Sequence, residues 1–348
     1  GDNKAFFTSL PDHVQAALSS PPVLLPEDYF DVVHRLHAKH HGSMCRVGFG
    51  PVGPQWCTAD LLQRIGRAAR DLGMRVHIHT LESLLQKIHG LTALGRSHIR
   101  FMEDIGFLGP EIVIAHGVWV TDEDIRILAE SDSGVTHQPS SNLRLRSGIA
   151  PVFQMIESGV RVGLGLDGQG INDNDDFIQE MKVCCLLHRI PSLELNSPHL
   201  TPRQVFKMAT ETNASLLGFA PAIGRLEPGR CADLVLLDFA QMRFPYTDPA
   251  HDPIDILLYR GTGAHVHTVM VNGRVVVEDG KVLTMDENAV GARLAEAASR
   301  PRTENESNFA RAIEELKRHA IRFYQGRTGR LKLEPHFDFN SRTDGEGR

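Results

Sequence analysis

The sequence predicts an α/β barrel of parallel strands, and three observations carry the prediction. Four β-rich runs each close on a residue able to bind a metal or carry a proton: Met74 to His79, Ile112 to His116, Gly134 to His137 and Val160 to Asp167. Stretches with helical period separate them, as crossovers between parallel strands require. In such a barrel the C-terminal strand tips share one face, where active sites are built. Val76 to Glu82 is the organising stretch. His77 and His79 stand two apart, so on a strand they point the same way, and Glu82 follows three residues later. Imidazole and carboxylate gathered at strand tips suit a metal-assisted hydrolase, because they hold Zn²⁺ or Fe²⁺.

The elements follow in order. Residues 1 to 45 run through Pro21 and Pro22 into a helix from Pro26 to His40 and do not read as the beginning of a domain. Cys45 to Gly50 reads as a buried strand. Thr58 caps a helix with Leu61, Leu62, Ile65 and Ala69 on one side, ended by Gly73. After the Val76 strand the chain is helical to Ile88, and again from Arg96 to Ile105. Thr121, with Asp124 at the third helical position, starts a helix through Ala129. Gln138 to Gly148 is a polar loop that follows a strand tip and is read as substrate-lining. Helices are expected from Phe177 to Leu187 and after Thr201. Leu226 to Asp238 turns into an apolar strand, and Asn272-Gly273 marks a hairpin between Val266–Val271 and Arg274–Val277. Helices from Glu287 to Ala298 and Glu304 to Tyr324 follow, then a polar tail expected to be mobile or to pack on a neighbouring subunit. The boundaries read as 1–222 for a partial catalytic barrel, 223–285 for a β-sandwich portion and 286–348 for helices and tail.

Bulk properties narrow the function classes. The 348 residues are 41% hydrophobic, enough for one large core or a core with a smaller module. A formal charge of −6 offers no basic face to polyanions, so neither nucleic acid nor a membrane is expected as partner, and a small molecule is. Five cysteines, with Cys184 and Cys185 adjacent, lack a disulfide framework and read as ordinary buried thiols in a reducing compartment. No apolar run approaches a membrane span and no signal pattern is seen, so the cytoplasm is the expected location. Most of the 18 histidines need no functional explanation. His34, His37, His40 and His41 read as a solvated helical surface, and His265 and His267 as part of the β-module.

The motifs His77-Ile78-His79-Thr80-Leu81-Glu82, Ala115-His116-Gly117-Val118, His137-Gln138-Pro139-Ser140-Ser141-Asn142, Leu164-Gly165-Leu166-Asp167-Gly168, Met208-Ala209-Thr210 and Gly224 to Asp233 together resemble the amidohydrolase superfamily. Within it the chain is similar to triazine hydrolases, S-adenosylhomocysteine or methylthioadenosine deaminases, and cytosine and guanine deaminases. The resemblance spans about residues 45 to 285 and implies a TIM-type (β/α)8 barrel of the metal-dependent hydrolase kind. It implies one divalent ion, zinc first and iron second, with His79, His116 and Asp167 as metal ligands. It makes Glu82 a proton shuttle, His116 a group that binds the metal or polarises water or substrate, and Asp167 the acceptor of the water's proton. His137, Trp119, Asn142, Gln169 and Asn172 are expected to shape the substrate pocket. His77 reads as a packed strand residue.

One departure matters. The family carries an H-x-H on its first barrel strand, and no position before His77 supplies it. Arg46 to Phe219 is also well short of the ~250 residues of a complete barrel. Strands four to eight are therefore expected here, with the rest coming from a longer polypeptide or a second chain. The expected activity is metal-dependent deamination of an aromatic N-heterocycle such as a purine, pyrimidine, pterin or triazine, in a homo-oligomer. Two alternatives stay open: a non-catalytic subunit that needs a partner segment, and a hydrolase that displaces a non-amine group.

Overall fold

Parallel pairing of the four tipped runs forms the centre of the computed structural model, which describes residues 2–18, 25–189 and 196–328. The strands are β1 (Val76–Thr80), β2 (Ile112–His116), β3 (Gly134–His137) and β4 (Val162–Leu164), in the spatial order of the sequence. One lateral row contains Ile78, Ile114, Val135 and Val162, all nearly fully buried. The neighbouring row runs His79, Ala115, Thr136, Gly163, and within it His79 is exposed. Alternation along each strand thus gives the sheet one packed face and one face that presents polar groups.

The connecting helices end where local chemistry dictates. Thr58 Oγ1 accepts from the Leu61 N–H at 3.1 Å at the head of Ala59–Leu72, and Gly73 closes that helix at φ 63°. Only a left-handed residue reverses the chain this tightly, which suits glycine. At Asp122–Glu130 the Asp124 N–H donates to Thr121 Oγ1 while Asp124 accepts from the Thr121 N–H, a reciprocal capping box. The Phe177–Leu187 helix has the expected bounds.

Three expectations change. Cys45 to Gly50 does not form a strand: only Phe49 bridges to Val76, and Cys45 is exposed. The Cys45 reading as a buried thiol fails with it, and Cys57 and Cys231 are half-buried. Cys184 and Cys185 are buried, and all five thiols are free. Part of the Gln138–Gly148 loop is helical, over Pro139–Arg144. Pro139 presets φ for a first helical turn, and the Asn142 N–H donates to Gln138 O at 2.9 Å to close it.

The outer edge of β4 is capped by a side chain. Asn213 Nδ2 donates to Leu164 O at 2.8 Å, and the Leu164 N–H donates to Asn213 Oδ1 at 3.0 Å. Gly163 makes room, since a Cβ there would collide with Asn213 Oδ1. Asn213→Ala strips both partners from a strand edge and is expected to cost about 2 kcal/mol, on the scale of ~1–3 kcal/mol for an unsatisfied buried group. Urea unfolding monitored by circular dichroism checks this.

A second, antiparallel sheet orders β5 (Leu234–Leu237), β6 (Val266–Val271), β7 (Arg274–Glu278) and β8 (Lys281–Val282). The β6–β7 hairpin turns at Asn272 and Gly273, both at positive φ (47° and 80°), as its Asn-Gly signature requires. This one sheet occupies the segment read as a sandwich portion. The chain divides into two compact units, Phe30–Thr284, which holds both sheets, and Gly1–Tyr29 with Met285–Arg348. In the latter, Leu10, Val14 and Ala312 form a small core flanked by Phe6 and Leu316. Its helices include Glu287–Ser299 and Glu304–Thr328. Pro21, Pro22 and the tail after residue 328 lie outside the described residues. No described helix is long and apolar enough to cross a membrane.

Candidate active site

Backbone turns at the strand tips bring the polar side chains together. Leu81, His116 and Asp167 have φ of 53°, 78° and 69°, in the left-handed region that non-glycine residues rarely occupy. Such residues cost roughly 1–3 kcal/mol each and cluster at functional sites. His116 shows the effect most clearly. Its register partner is Thr80, so a regular strand would keep it on the face opposite His79. Instead the His79 and His116 rings stack, with centroids 5.5 Å apart and planes at 23°.

Hydrogen bonds set the state of each group. His79 Nδ1 lies 2.8 Å from Val52 O. A carbonyl only accepts, so Nδ1 carries the proton and Nε2 keeps its lone pair. His116, 1% exposed, donates from Nδ1 to Asn142 Oδ1 at 3.0 Å. Its Nε2 stands 3.7 Å from Glu82 Oε2. Burial holds the His116 imidazole below its ordinary pKa, while Glu82, the Asn142 bond and Asp167 act in the opposite direction. Asp167 is anchored at both oxygens: Oδ2 accepts from Ser141 Oγ at 2.6 Å, and Oδ1 from the Gly168 N–H at 2.8 Å. One neutral buried imidazole therefore feels two carboxylates and a second imidazole.

The remaining expected site residues divide. Asn142 is fully buried and orients His116, and its Nδ2 has no hydrogen-bond partner. Trp119 Nε1 donates to Ser147 O at 2.8 Å, with Lys87 Nζ 6.0 Å from the ring centre. Gln169 is exposed. Asn172 spends its amide on structure, donating to Ser140 Oγ at 2.8 Å and Glu180 Oε2 at 3.2 Å. His137 is fully buried, and its Nε2 lies 3.2 Å from Nε2 of His188, the C-cap of the Phe177–Leu187 helix. His77 is half-buried on its strand, as expected of a packed residue. Sequence reasoning places Gln138 and Ser141 only in the substrate-lining loop, whereas Gln138 Oε1 accepts from the His116 N–H at 3.1 Å and Ser141 orients Asp167; it gives no role to the Val52 carbonyl.

The donors suit a divalent ion. His79 offers Nε2 with its Nδ1 fixed by a carbonyl, the usual outer-shell arrangement of a metal-binding histidine. Asp167 offers an oriented carboxylate. Among the described residues, three ligand atoms approach within 4.8 Å of one another only at His137, Cys184 and His188. His79 and Asp167 thus provide part of a coordination shell, not a closed one.

Comparison with known proteins agrees with this architecture. The model of the amidohydrolase family matches residues 26–276. The 5′-deoxyadenosine deaminase of Methanosarcina mazei is 38% identical over 250 residues, which are 72% of this chain and 56% of that protein. The 5-methylthioadenosine/S-adenosylhomocysteine deaminase of Thermococcus onnurineus is 37% identical over 232 residues, 66% of this chain and 53% of the relative. The chain therefore spans little more than half the length of these relatives. Among solved structures, an adenosine deaminase from Xanthomonas campestris with bound zinc superposes with a TM-score of 0.73 at 25% identity, covering 79% of this chain and 62% of that one. Atrazine chlorohydrolase from Arthrobacter aurescens, complexed with zinc, gives 0.72 at 26% identity, covering 81% and 62%. The fold is accordingly of the α/β barrel type, carried in the described residues by four parallel strands. With a family model matched over most of its length and strand tips ordered as above, the chain belongs to the amidohydrolase family.

Proposed function

We propose that this chain carries the acid–base half of a metal-dependent aminohydrolase acting on an aromatic N-heterocycle, with adenine nucleosides the first candidates. The observation that carries the reading is the buried His116 imidazole, turned by a left-handed backbone to meet Glu82 and the His79 ring. The names of the deaminase relatives support the leaving group and the purine. Zinc as the ion, the cytoplasm as the location and a homo-oligomeric state belong to the same proposal.

His79 and Asp167 would hold the ion, with His116 adjacent. A divalent ion held there would supply hydroxide at neutral pH, by lowering the pKa of water to about 7. The chain's own groups do the rest. Asp167, fixed by Ser141 and Gly168, takes the proton that the water gives up. Glu82 protonates the ring nitrogen, making the adjacent carbon electrophilic, and, recharged with the proton held by Asp167, protonates the departing amine. His116 Nε2 accepts the proton of the hydroxyl on the attacked carbon as the carbonyl forms and returns it to Glu82, 3.7 Å away. Trp119 and Gln169 line the approach to the ring.

Ammonia release is the direct test, measured on adenosine, 5′-deoxyadenosine, methylthioadenosine, pterins, pyrimidines and aminotriazines. The chain is assayed with zinc, alone and joined to the N-terminal barrel strands of a related deaminase. Release from at least one substrate in the joined form is expected. No release in either form, with zinc bound, overturns the reading. A non-catalytic subunit is the second reading, favoured by the open ligand shell at His79 and Asp167. Stoichiometric zinc in the isolated chain together with turnover dismisses it. A chloride or thioether leaving group would show as turnover without ammonia.

A further inference from the structure

We propose a second metal site, made of His137, Cys184 and His188, that takes one zinc ion behind the strand tips. Their ligand atoms lie within 4.8 Å of one another, and all three residues are buried. The two Nε2 atoms are 3.2 Å apart. Zinc bonds nitrogen at about 2.0–2.1 Å, so two tetrahedral nitrogen ligands stand about 3.4 Å apart, and these imidazoles are already close to that spacing.

Helix geometry supplies the rest of the site. Glu180, Cys184 and His188 recur every four residues on Phe177–Leu187 and its C-terminal cap, so they form one stripe, and His137 meets that stripe from the end of β3. Cys184 binds as thiolate, and Glu180, 1% exposed and with its carboxyl pKa pushed up by burial, stands one turn away, where zinc would favour its ionised form and bring two negative charges against Zn²⁺. Glu180 accepts from the Ser140 N–H at 3.0 Å and from Asn172 Nδ2 at 3.2 Å, which holds it beside the cluster.

His137 is fully buried, and the nitrogen it turns toward His188, Nε2, is the one free to ligate. Burial holds His188 at about 4 and His137 well below the ordinary range, so both imidazoles are neutral and ready to ligate at pH 7. Burial raises the Cys184 thiol, so zinc entry breaks its S–H bond, forms the Zn–S bond and releases one proton to solvent. The site does not depend on the proposed catalytic reading. It would tie the Phe177–Leu187 helix to the tip of β3, next to the segment that positions Asn142 and Ser141.

Cobalt(II) is the probe, because a thiolate ligand gives it a near-ultraviolet charge-transfer band that nitrogen and oxygen ligands do not. The chelator-stripped chain, titrated with cobalt, is expected to develop that band to one equivalent and to lose it when zinc is added. Cys184→Ser should abolish the band, while Cys185→Ser and Asp167→Asn should keep it, which separates this site from the proposed catalytic one. His188→Gln should weaken cobalt binding at least tenfold and serves if Cys184→Ser does not fold. No band in the parent chain, or a band that survives Cys184→Ser or is indifferent to His188→Gln, overturns the proposal.

Discussion

Glu82→Gln is expected to lower kcat for amine release by about 10²–10⁴-fold, the range ascribed to a positioned general acid or base. This is about 3–5 kcal/mol of barrier. The amide keeps the size of the carboxyl group but cannot deliver a proton to a ring nitrogen. Glu82 is placed to do so because Leu81, at φ 53°, turns the chain straight after β1. That turn sets the carboxylate 3.7 Å from the buried His116 Nε2. Zinc content should not change, since Glu82 is not a proposed ligand, and KM should move far less than kcat. A merely electrostatic role would look different: the substitution would remove a charge that raises the His116 pKa, shift the acid limb of the pH–rate profile to lower pH and leave the plateau within a few-fold of the parent. The measurement is a pH–rate profile of the joined form for both proteins. A plateau lowered less than about tenfold would refute the shuttle role.

Elements defined by local chemistry were legible in the sequence. The Asp122–Glu130 helix is announced by Thr121 and Asp124, which cap each other three residues apart. The hairpin at Asn272-Gly273 needs positive φ at two adjacent positions, and few residue pairs allow it. His79, His116 and Asp167 stood out because each ends an apolar run, where a polar group has no packing reason to be, and Glu82 because it follows His79 by three residues. Longer-range partners could not be read. His79 takes its tautomer from a carbonyl 27 residues earlier, and Asp167 is oriented by a hydroxyl 26 residues before it. His137 carries the same local signature as His116, a histidine closing an apolar strand. Backbone conformation separates them: His116 sits at φ 78° and turns toward His79, whereas His137 packs on His188. The Cys45–Gly50 run shows the converse. Its apolar pattern is adequate for a strand, but only Phe49 finds a partner, because pairing is decided by the neighbouring edge and not by the run itself.

Acidification from pH 6.5 to 4 is expected to remove much of the chain's stability, and buried neutral histidines are the cause. His98 is fully buried, 3.0 Å from His89 Nδ1 with the two rings stacked, and burial holds its pKa at about 4. His188 is held at about 4 for the same reason. Each is neutral in the native state at a pH where the unfolded chain, titrating near 6.5, binds a proton. Their contribution is therefore fully present above about pH 6.5 and falls as pH drops toward 4, by about 1.4 kcal/mol per pH unit for each group. The loss approaches 3 kcal/mol per histidine, large against a typical total of about 5–15 kcal/mol. Carboxylates act in a different window. Glu306, paired with Arg300, is lowered to about 2 from an ordinary 4.5, so its contribution is lost only below about pH 4.5. Urea unfolding in chelator at half-unit pH steps resolves the two windows. His98→Asn, which keeps a donor and an acceptor for His89, should remove about one proton's worth of slope between pH 6 and 4.5 and leave the carboxylate window unchanged. An unaltered slope in that variant would show that His98 is not held neutral by burial.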